Sequence, residues 1–242
     1  MSDVRLVDIQ ACKFKEELAV FCLQVSDFEQ NLTHLKKLLN ESEVLKSDNF
    51  VMEKDRKRFI VTRGVLKIIL GKFLNKNPED IEFYFEQHLK PRVKTQHSNL
   101  HFNVTHSADR IIIAISSKPI GVDIEHVDEE FGFDQILDVT FSDNELDYIQ
   151  NSNNKSEAFY LLWTRKEAFL KATGKGIDDD LQQIPALTGI HELVSEISDS
   201  ETPWFVGSFG IGNSYIASLS FSPELLKGPI NLYSTGPEIL MV

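Results

Sequence analysis

The chain has 242 residues, 42% hydrophobic and 26% charged, which is ordinary for a globular protein and enough for one large domain or two small lobes. A formal charge of −12 excludes a general nucleic-acid binder, because counterion release needs a basic face. No apolar run reaches bilayer-spanning length, and MSDVRLVDIQ has neither the basic start nor the apolar stretch of a secretory signal, so a cytoplasmic protein is expected. Cys12 and Cys22 are the only cysteines. They form neither a disulfide framework nor a metal knuckle, and small packing roles suffice for both.

The charge is unevenly spread. Lys54, Arg56, Lys57, Arg58, Arg63, Lys67, Lys72 and Lys76 lie between Glu53 and Lys76, opposed there only by Glu53 and Asp55. The stretch from Asp178 to Glu201 is acidic instead. An acidic protein with one basic helix suits a small anionic ligand better than a polymer.

In chain order, the first strong signal is a helix over about Glu53–Phe73, with Phe59, Val65, Leu66, Ile69, Leu70 and Phe73 at helical spacing. Asn75–Asp80 reads as a turn and IEFYFE as a strand. LHFNVTHS, a turn at Ala108–Asp109, RIIIAISS, a turn at Lys118–Pro119 and IGVDIE then give two or three strands. Ser142 and Glu145 form an S-x-x-E capping box that starts a second helix. A third helix is expected from about Lys155 to Thr173, ending at Gly174, and SFGIGNSYIASLSF reads as a hairpin turning at Gly212–Asn213–Ser214. Helix, strand and hairpin thus occur in both halves, and HFNVTHSADRIIIAIS resembles WFVGSFGIGNSYIASLS in outline. Two similar lobes meeting near Ser117, with a ligand in the cleft between them, would account for that echo.

Asp123 and Glu125 are two apart on the last of the central strands, so they share a face while Val122 and Ile124 take the other. Their Cα atoms should be about 6.6 Å apart, a gap that one cation can bridge. Oxygen-only ligands favour magnesium, although a D-x-E pair by itself is equally a solvated sheet face. WTRKEAFLKATGKG places Trp163, Glu167, Leu170 and Lys171 on one helical stripe. Glu167 and Lys171 are there a surface ion pair, or else a third metal oxygen and a phosphate-neutralising ammonium, with Lys166 and Lys175 adding positive charge nearby. Thr105, His106 and Ser107 precede the hairpin turn, where a histidine is either structural or a donor to phosphate. Lys90 and Arg92 lie on a loop stiffened by Pro91, either as exposed cations or as anion ligands. The capping box accounts for Glu145, with a place in the metal shell as the second choice. The chain contains no G-x-x-x-x-G-K-[ST], G-x-G-x-x-G, G-x-S-x-G or H-E-x-x-H motif.

FNVTHS, GVDIE, FSDNE and WTRKEAFLKATGKG, in that order and preceded by the basic helix DRKRFIVTRGVLKIILG, resemble the 4′-phosphopantetheinyl transferase family of the long single-chain type that includes the surfactin-synthetase activator. The resemblance spans roughly residues 50 to 177. It implies an α+β fold of two pseudo-symmetric α/β lobes, here 1–117 and 118–242, acting as one functional unit with the active site between them. It also implies that a monomer moves the 4′-phosphopantetheine arm of coenzyme A to a serine of an apo acyl- or peptidyl-carrier protein, with magnesium, leaving adenosine 3′,5′-bisphosphate. Fatty-acid, polyketide and nonribosomal peptide systems are the implied settings, without membrane or nucleic acid as partner. By this resemblance Asp123, Glu125 and Glu167 match metal ligands. Glu167 is also the candidate base, and Lys171 the residue that steadies the pyrophosphate. Lys90, Thr105 and His106 match contacts to the coenzyme A phosphates, and Arg58 and Arg63 match contacts to the adenosine phosphate. Thr105 stands where serine is frequent. LNESEVLKSDNF lacks the usual basic cluster on the adenine side, with Lys46 the one obvious candidate. Apolar contacts around Leu181, with a basic patch near the third helix and after Gly176, are expected to receive the carrier.

Overall fold

The computed structural model describes residues 4–85, 90–95, 99–174, 181–187, 189–191 and 203–241. The chain opens with strands β1 (Val4–Asp8) and β2 (Leu18–Gln24), followed by helices α1 (Leu32–Lys37), α2 (Glu41–Asp48) and α3 (Glu53–Leu74). Short strands β3 (Phe83–Phe85) and β4 (Pro91–Val93) lead to β5 (His101–Ser107), β6 (Arg110–Ser116) and β7 (Ile120–His126). Helices α4 (Asp134–Thr140), α5 (Asp143–Gln150) and α6 (Lys155–Thr173) come next, then β8 (Gly189–His191), β9 (Trp204–Ile211), β10 (Tyr215–Phe221) and β11 (Ile230–Ser234). The expected mixed α+β class is what is found. Residue 86, closing the IEFYFE segment, residues 175–180, which include Lys175 and Gly176, and most of the acidic stretch lie outside the described residues.

Local chemistry sets the two long helices. No proline interrupts α3, which ends where Asn75 turns left-handed at φ 52 and returns its N–H to the carbonyls of Gly71 and Lys72. Asn154 caps α6 by accepting the Glu157 amide at 3.0 Å, and Gly174, at φ 79, stops it. The helix after Ser142 is capped as the sequence implies: Glu145 Oε2 accepts the Ser142 amide at 3.0 Å.

The strands form two larger sheets with orders β1-β11-β2-β6-β5 and β7-β10-β9-β8. The third central strand, β7, therefore does not extend the β5–β6 hairpin. Residues 117–119 carry the chain from one sheet to the other, and β7 pairs with β10. In each sheet a strand preceding a long helix pairs with the second strand of the hairpin that follows it: β2 with β6, and β7 with β10. β11 crosses back to enter the first sheet parallel to both β1 and β2.

Burial arranges these elements in four layers. Phe21, Ile111, Ile113, Ile115 and Phe102 pack with α3 residues Val61, Val65 and Ile69 on the outer face of the first sheet. Val20, Cys22, Ile112 and Ala114 on its inner face meet Ile120, Val122, Ile124, Ala217 and Leu219 of the second. α6 covers the remaining face of the second sheet. β6 is consequently apolar from Ile111 to Ile115, because both of its faces are covered.

α6 lies unusually close to β7. A Cβ at Gly121 would overlap the carbonyl oxygen of Ala168 and the amide nitrogen of Ala172. Backbone cannot yield as a flexible side chain can, so the position demands glycine. Gly121→Ala should force the helix off the strand and lower stability by about 3 kcal/mol, the upper end for overpacking, in urea titration. A variant with wild-type stability would mean that this contact is not maintained in solution.

Candidate active site

Gly121, Asp123 and Glu125 occupy alternate positions on β7 and point toward α6, while Ile120, Val122 and Ile124 enter the intersheet core. Because Gly121 lets the helix approach, α6 brings Lys171 Nζ to 2.6 Å from Asp123 Oδ1. Glu167, one turn earlier on the same helix face, is half-buried. These two residues thus belong to a packed site and are not a solvated ion pair. Asp123 is only 3% exposed, and its Oδ2 is buried with no hydrogen-bond partner. Burial first, then the negative charge of Asp123, push the Glu125 carboxyl above its ordinary value. Burial likewise raises that of Glu167; Lys171 opposes the rise and Asp123 adds to it.

β5 borders this cluster, since β5 and β7 are the facing edge strands of the two sheets. Thr105 Oγ1 donates to Asp123 Oδ1 at 2.9 Å, and Ser107 Oγ donates to Glu125 Oε2 at 2.9 Å. Lys171 Nζ also reaches Thr105 Oγ1, at 3.3 Å. His106, between those two residues, faces the α3 side of its sheet and is exposed. Partial desolvation of the ring and then the charge of Arg58 hold its pKa below the ordinary imidazole value. Thr105 and His106, grouped in sequence, therefore serve opposite faces of one strand.

Arg58, Arg63 and Lys67 of α3 are engaged by neighbours. Arg58 Nη2 lies 2.6 Å from Asp55 Oδ1 and borders a groove of ≈ 520 Å³ that Lys54, Lys57, Ala108 and Asp109 also line. Arg63 pairs with Glu43 at 3.4 Å and stacks over Phe83, 4.4 Å from the ring centroid, and burial lowers its pKa. Lys67 is buried, 3.1 Å from Glu43 Oε2. Lys46 lies over the Phe59 ring at 5.4 Å. Lys90 donates to the carbonyls of Lys171 and, at 3.0 Å, Ala172, so its charge sits at the negative end of α6. Arg92 Nη1 is 2.5 Å from His101 Nδ1.

Two expectations are corrected. Lys166 adds no exposed charge beside Glu167: it is 1% exposed, 2.8 Å from Glu145 Oε2, and donates to the carbonyls of Leu181 and Ile184 at 3.0 and 2.6 Å. Burial lowers its pKa against the pull of Glu145. Nor is Glu145 only a cap, since its Oε1 accepts the Ala186 amide at 2.8 Å. Arg165 joins this clamp through Ser208 and the Ala186 carbonyl, and burial brings its pKa down to about 10. Sequence spacing gave no sign of the clamp, because Lys166 and Ile184 are 18 residues apart and Arg165 and Ala186 are 21 apart. Leu181, expected at the carrier surface, is half-buried beside Phe169, Ile184 and Trp204.

Among the described residues, no group of three or more His, Cys, Asp or Glu side chains is already gathered in metal-holding geometry. The donor chemistry nevertheless fits a hard divalent ion: an orphaned buried carboxylate oxygen lies beside two carboxyls whose ionisation burial and mutual repulsion oppose. No helix among the described residues is long and apolar enough to cross a membrane.

Two family models match in succession. Residues 26–118 match the 4′-phosphopantetheinyl transferase N-terminal model, and residues 119–219 match the 4′-phosphopantetheinyl transferase superfamily model. The 4′-phosphopantetheinyl transferase HetI of Nostoc sp. is 29% identical over 67% of this chain and 70% of its own length. A 4′-phosphopantetheinyl transferase of Bacillus subtilis is 28% identical over 76% of this chain and 82% of its own. The transferase Sfp of Bacillus subtilis strain 168 is 27% identical over 70% and 76% respectively.

Glu145→Ala should strand the buried Lys166 charge and cost about 3–5 kcal/mol in equilibrium denaturation. A loss below about 1 kcal/mol, the scale of an exposed pair, would contradict the clamp.

Proposed function

The chain belongs to the 4′-phosphopantetheinyl transferase superfamily, and we propose that it moves the 4′-phosphopantetheine arm of coenzyme A to a serine of an apo acyl- or peptidyl-carrier protein. We further read the reaction as magnesium-dependent, with adenosine 3′,5′-bisphosphate as the leaving group. The observation that carries this reading is the meeting of Asp123, with its unpartnered buried oxygen, and Lys171 at the contact of β7 and α6. Residues 1–117 and 118–242 are taken as two similar lobes of one functional unit, supported by the repeated order β2–α3–β5–β6 and β7–α6–β9–β10.

Asp123, Glu125 and Glu167 would hold the magnesium ion, which supplies charge neutralisation to a pyrophosphate and orders it. Lys171 is half-exposed and can turn from Asp123 to a phosphate oxygen, where an ammonium offsets charge as the leaving group departs. The carrier serine oxygen bonds to the phosphorus that bears pantetheine. The bond from that phosphorus to the bridging oxygen breaks, and adenosine 3′,5′-bisphosphate leaves with the electron pair. Glu167, one turn from Lys171, is assigned to take the serine proton. Thr105 keeps Asp123 and Lys171 in register through its two contacts. Arg58 and His106, beside the groove at the start of α3, are assigned to the adenosine phosphate. Arg63 supports that wall from behind, and Lys90 steadies the end of α6.

The protein should be incubated with coenzyme A, Mg²⁺ and a panel of apo carrier proteins, and the carriers weighed intact. One carrier class should gain one phosphopantetheine, and chelating the metal should abolish the gain. Asp123→Ala and Glu167→Ala should fold and load nothing, and either one loading at the wild-type rate removes that residue from the mechanism. Diphosphate cleavage without a carrier would instead point to a pyrophosphatase.

A further inference from the structure

β7 is an edge strand, so its outward backbone groups need partners from outside its own sheet. They find them in side chains of β5. Asn103 Oδ1 accepts the Val122 amide at 2.8 Å, and Ser107 Oγ accepts the His126 amide at 3.0 Å. These residues are four apart on β5, with Thr105 between them on the same face. Asn103 and Ser107 thus take the place of ladder hydrogen bonds that two abutting edges would otherwise form, and Thr105 between them bonds the Asp123 side chain.

Ser107 does something Asn103 does not. A hydroxyl has one proton, and with its oxygen accepting the His126 amide that proton is directed to Glu125 Oε2 at 2.9 Å. Glu125 is the last β7 carboxylate before the strand ends at His126, and it is half-buried beside the charge of Asp123. A carboxylate repelled by its neighbour turns away unless a donor holds it. We propose that Ser107 is the positioning residue for Glu125, fixing that carboxylate for the divalent ion through a hydroxyl that β7 itself orients. The proposal rests on reading Asp123 and Glu125 as ligands of that ion. It assigns Ser107 to the framework of the site and not to the substrate.

Mn²⁺ alone, titrated into the full chain and read by electron paramagnetic resonance of the free ion, tests this without any turnover. Ser107→Ala should weaken Mn²⁺ binding about tenfold, the usual scale for losing a group that orients a metal ligand. Asn103→Ala also removes an acceptor from a β7 amide, so it should lower the melting temperature comparably while Mn²⁺ affinity stays within twofold. Ser107→Thr should bind as wild type, and Ser107→Val, its isostere without the hydroxyl, should not; this pair carries the test even if the alanine variant folds poorly. Equal Mn²⁺ affinity for the threonine and valine variants overturns the proposal, as does an Asn103→Ala loss as large as that of Ser107→Ala. Glu125→Gln separates the two levels. If it leaves Mn²⁺ binding unchanged, the ligand assignment fails and this inference falls with it; if it weakens binding while Ser107→Val does not, only the positioning role is lost.

Discussion

The backbone of α6 lies against the backbone of β7 at Gly121, and the rest of the site follows from that contact. Any side chain there would lift the helix by the width of at least one methyl group. Lys171 and Asp123 would then lose their 2.6 Å contact. The residues around that contact are correspondingly small. Thr164 meets Ser218 at 2.7 Å, Ser218 meets Ser208 at 2.8 Å, and Ala168 and Ala172 lie over Gly121. This seam exchanges apolar bulk for proximity; Thr164, Ser218 and Ser208 satisfy one another's hydroxyls, whereas Ser220, opposite Gly121, keeps a buried hydroxyl without a partner.

That exchange leaves α6 to be held from its other sides. Lys166 and Arg165 tie it to residues 181–186, Glu145 ties that segment to α5, and Lys90 takes the carbonyls of its last turn. Buried ion pairs of this kind are weak contributors to net stability, but removing one partner is costly, so they fix geometry. The signature WTRKEAFLK therefore has a division of labour along one helix. Arg165 and Lys166 face the protein interior, and Glu167 and Lys171 face Asp123.

Local signals in the sequence were reliable where periodicity and caps set the structure. The span of α3, the Ser142–Glu145 box, the stop at Gly174 and the alternation of Val122, Asp123, Ile124 and Glu125 all depend on neighbours within a few residues. What the sequence hid were long-range choices. Nothing local distinguishes a β7 that extends a hairpin from one that crosses to another sheet, and nothing near residue 230 reveals that β11 pairs with β1 and β2. Charge was misleading for the same reason. Arg63 and Lys67 look like free cations in one dimension, yet Glu43, which reciprocally caps α2 with Asn40, is folded against both. The contacts of Asn103 and Ser107 with β7 are invisible locally because the amides they accept are 19 residues away.

In the proposed site the buried Asp123 Oδ2 takes a metal ion as its partner. Crystals grown with Mn²⁺ and coenzyme A, measured for anomalous scattering from manganese, would locate that ion directly. The prediction is a manganese peak coordinated by Asp123 Oδ2 and by pyrophosphate oxygens of the coenzyme. A pyrophosphate bound in the cleft with no manganese at Asp123, or manganese bound only elsewhere, would contradict it.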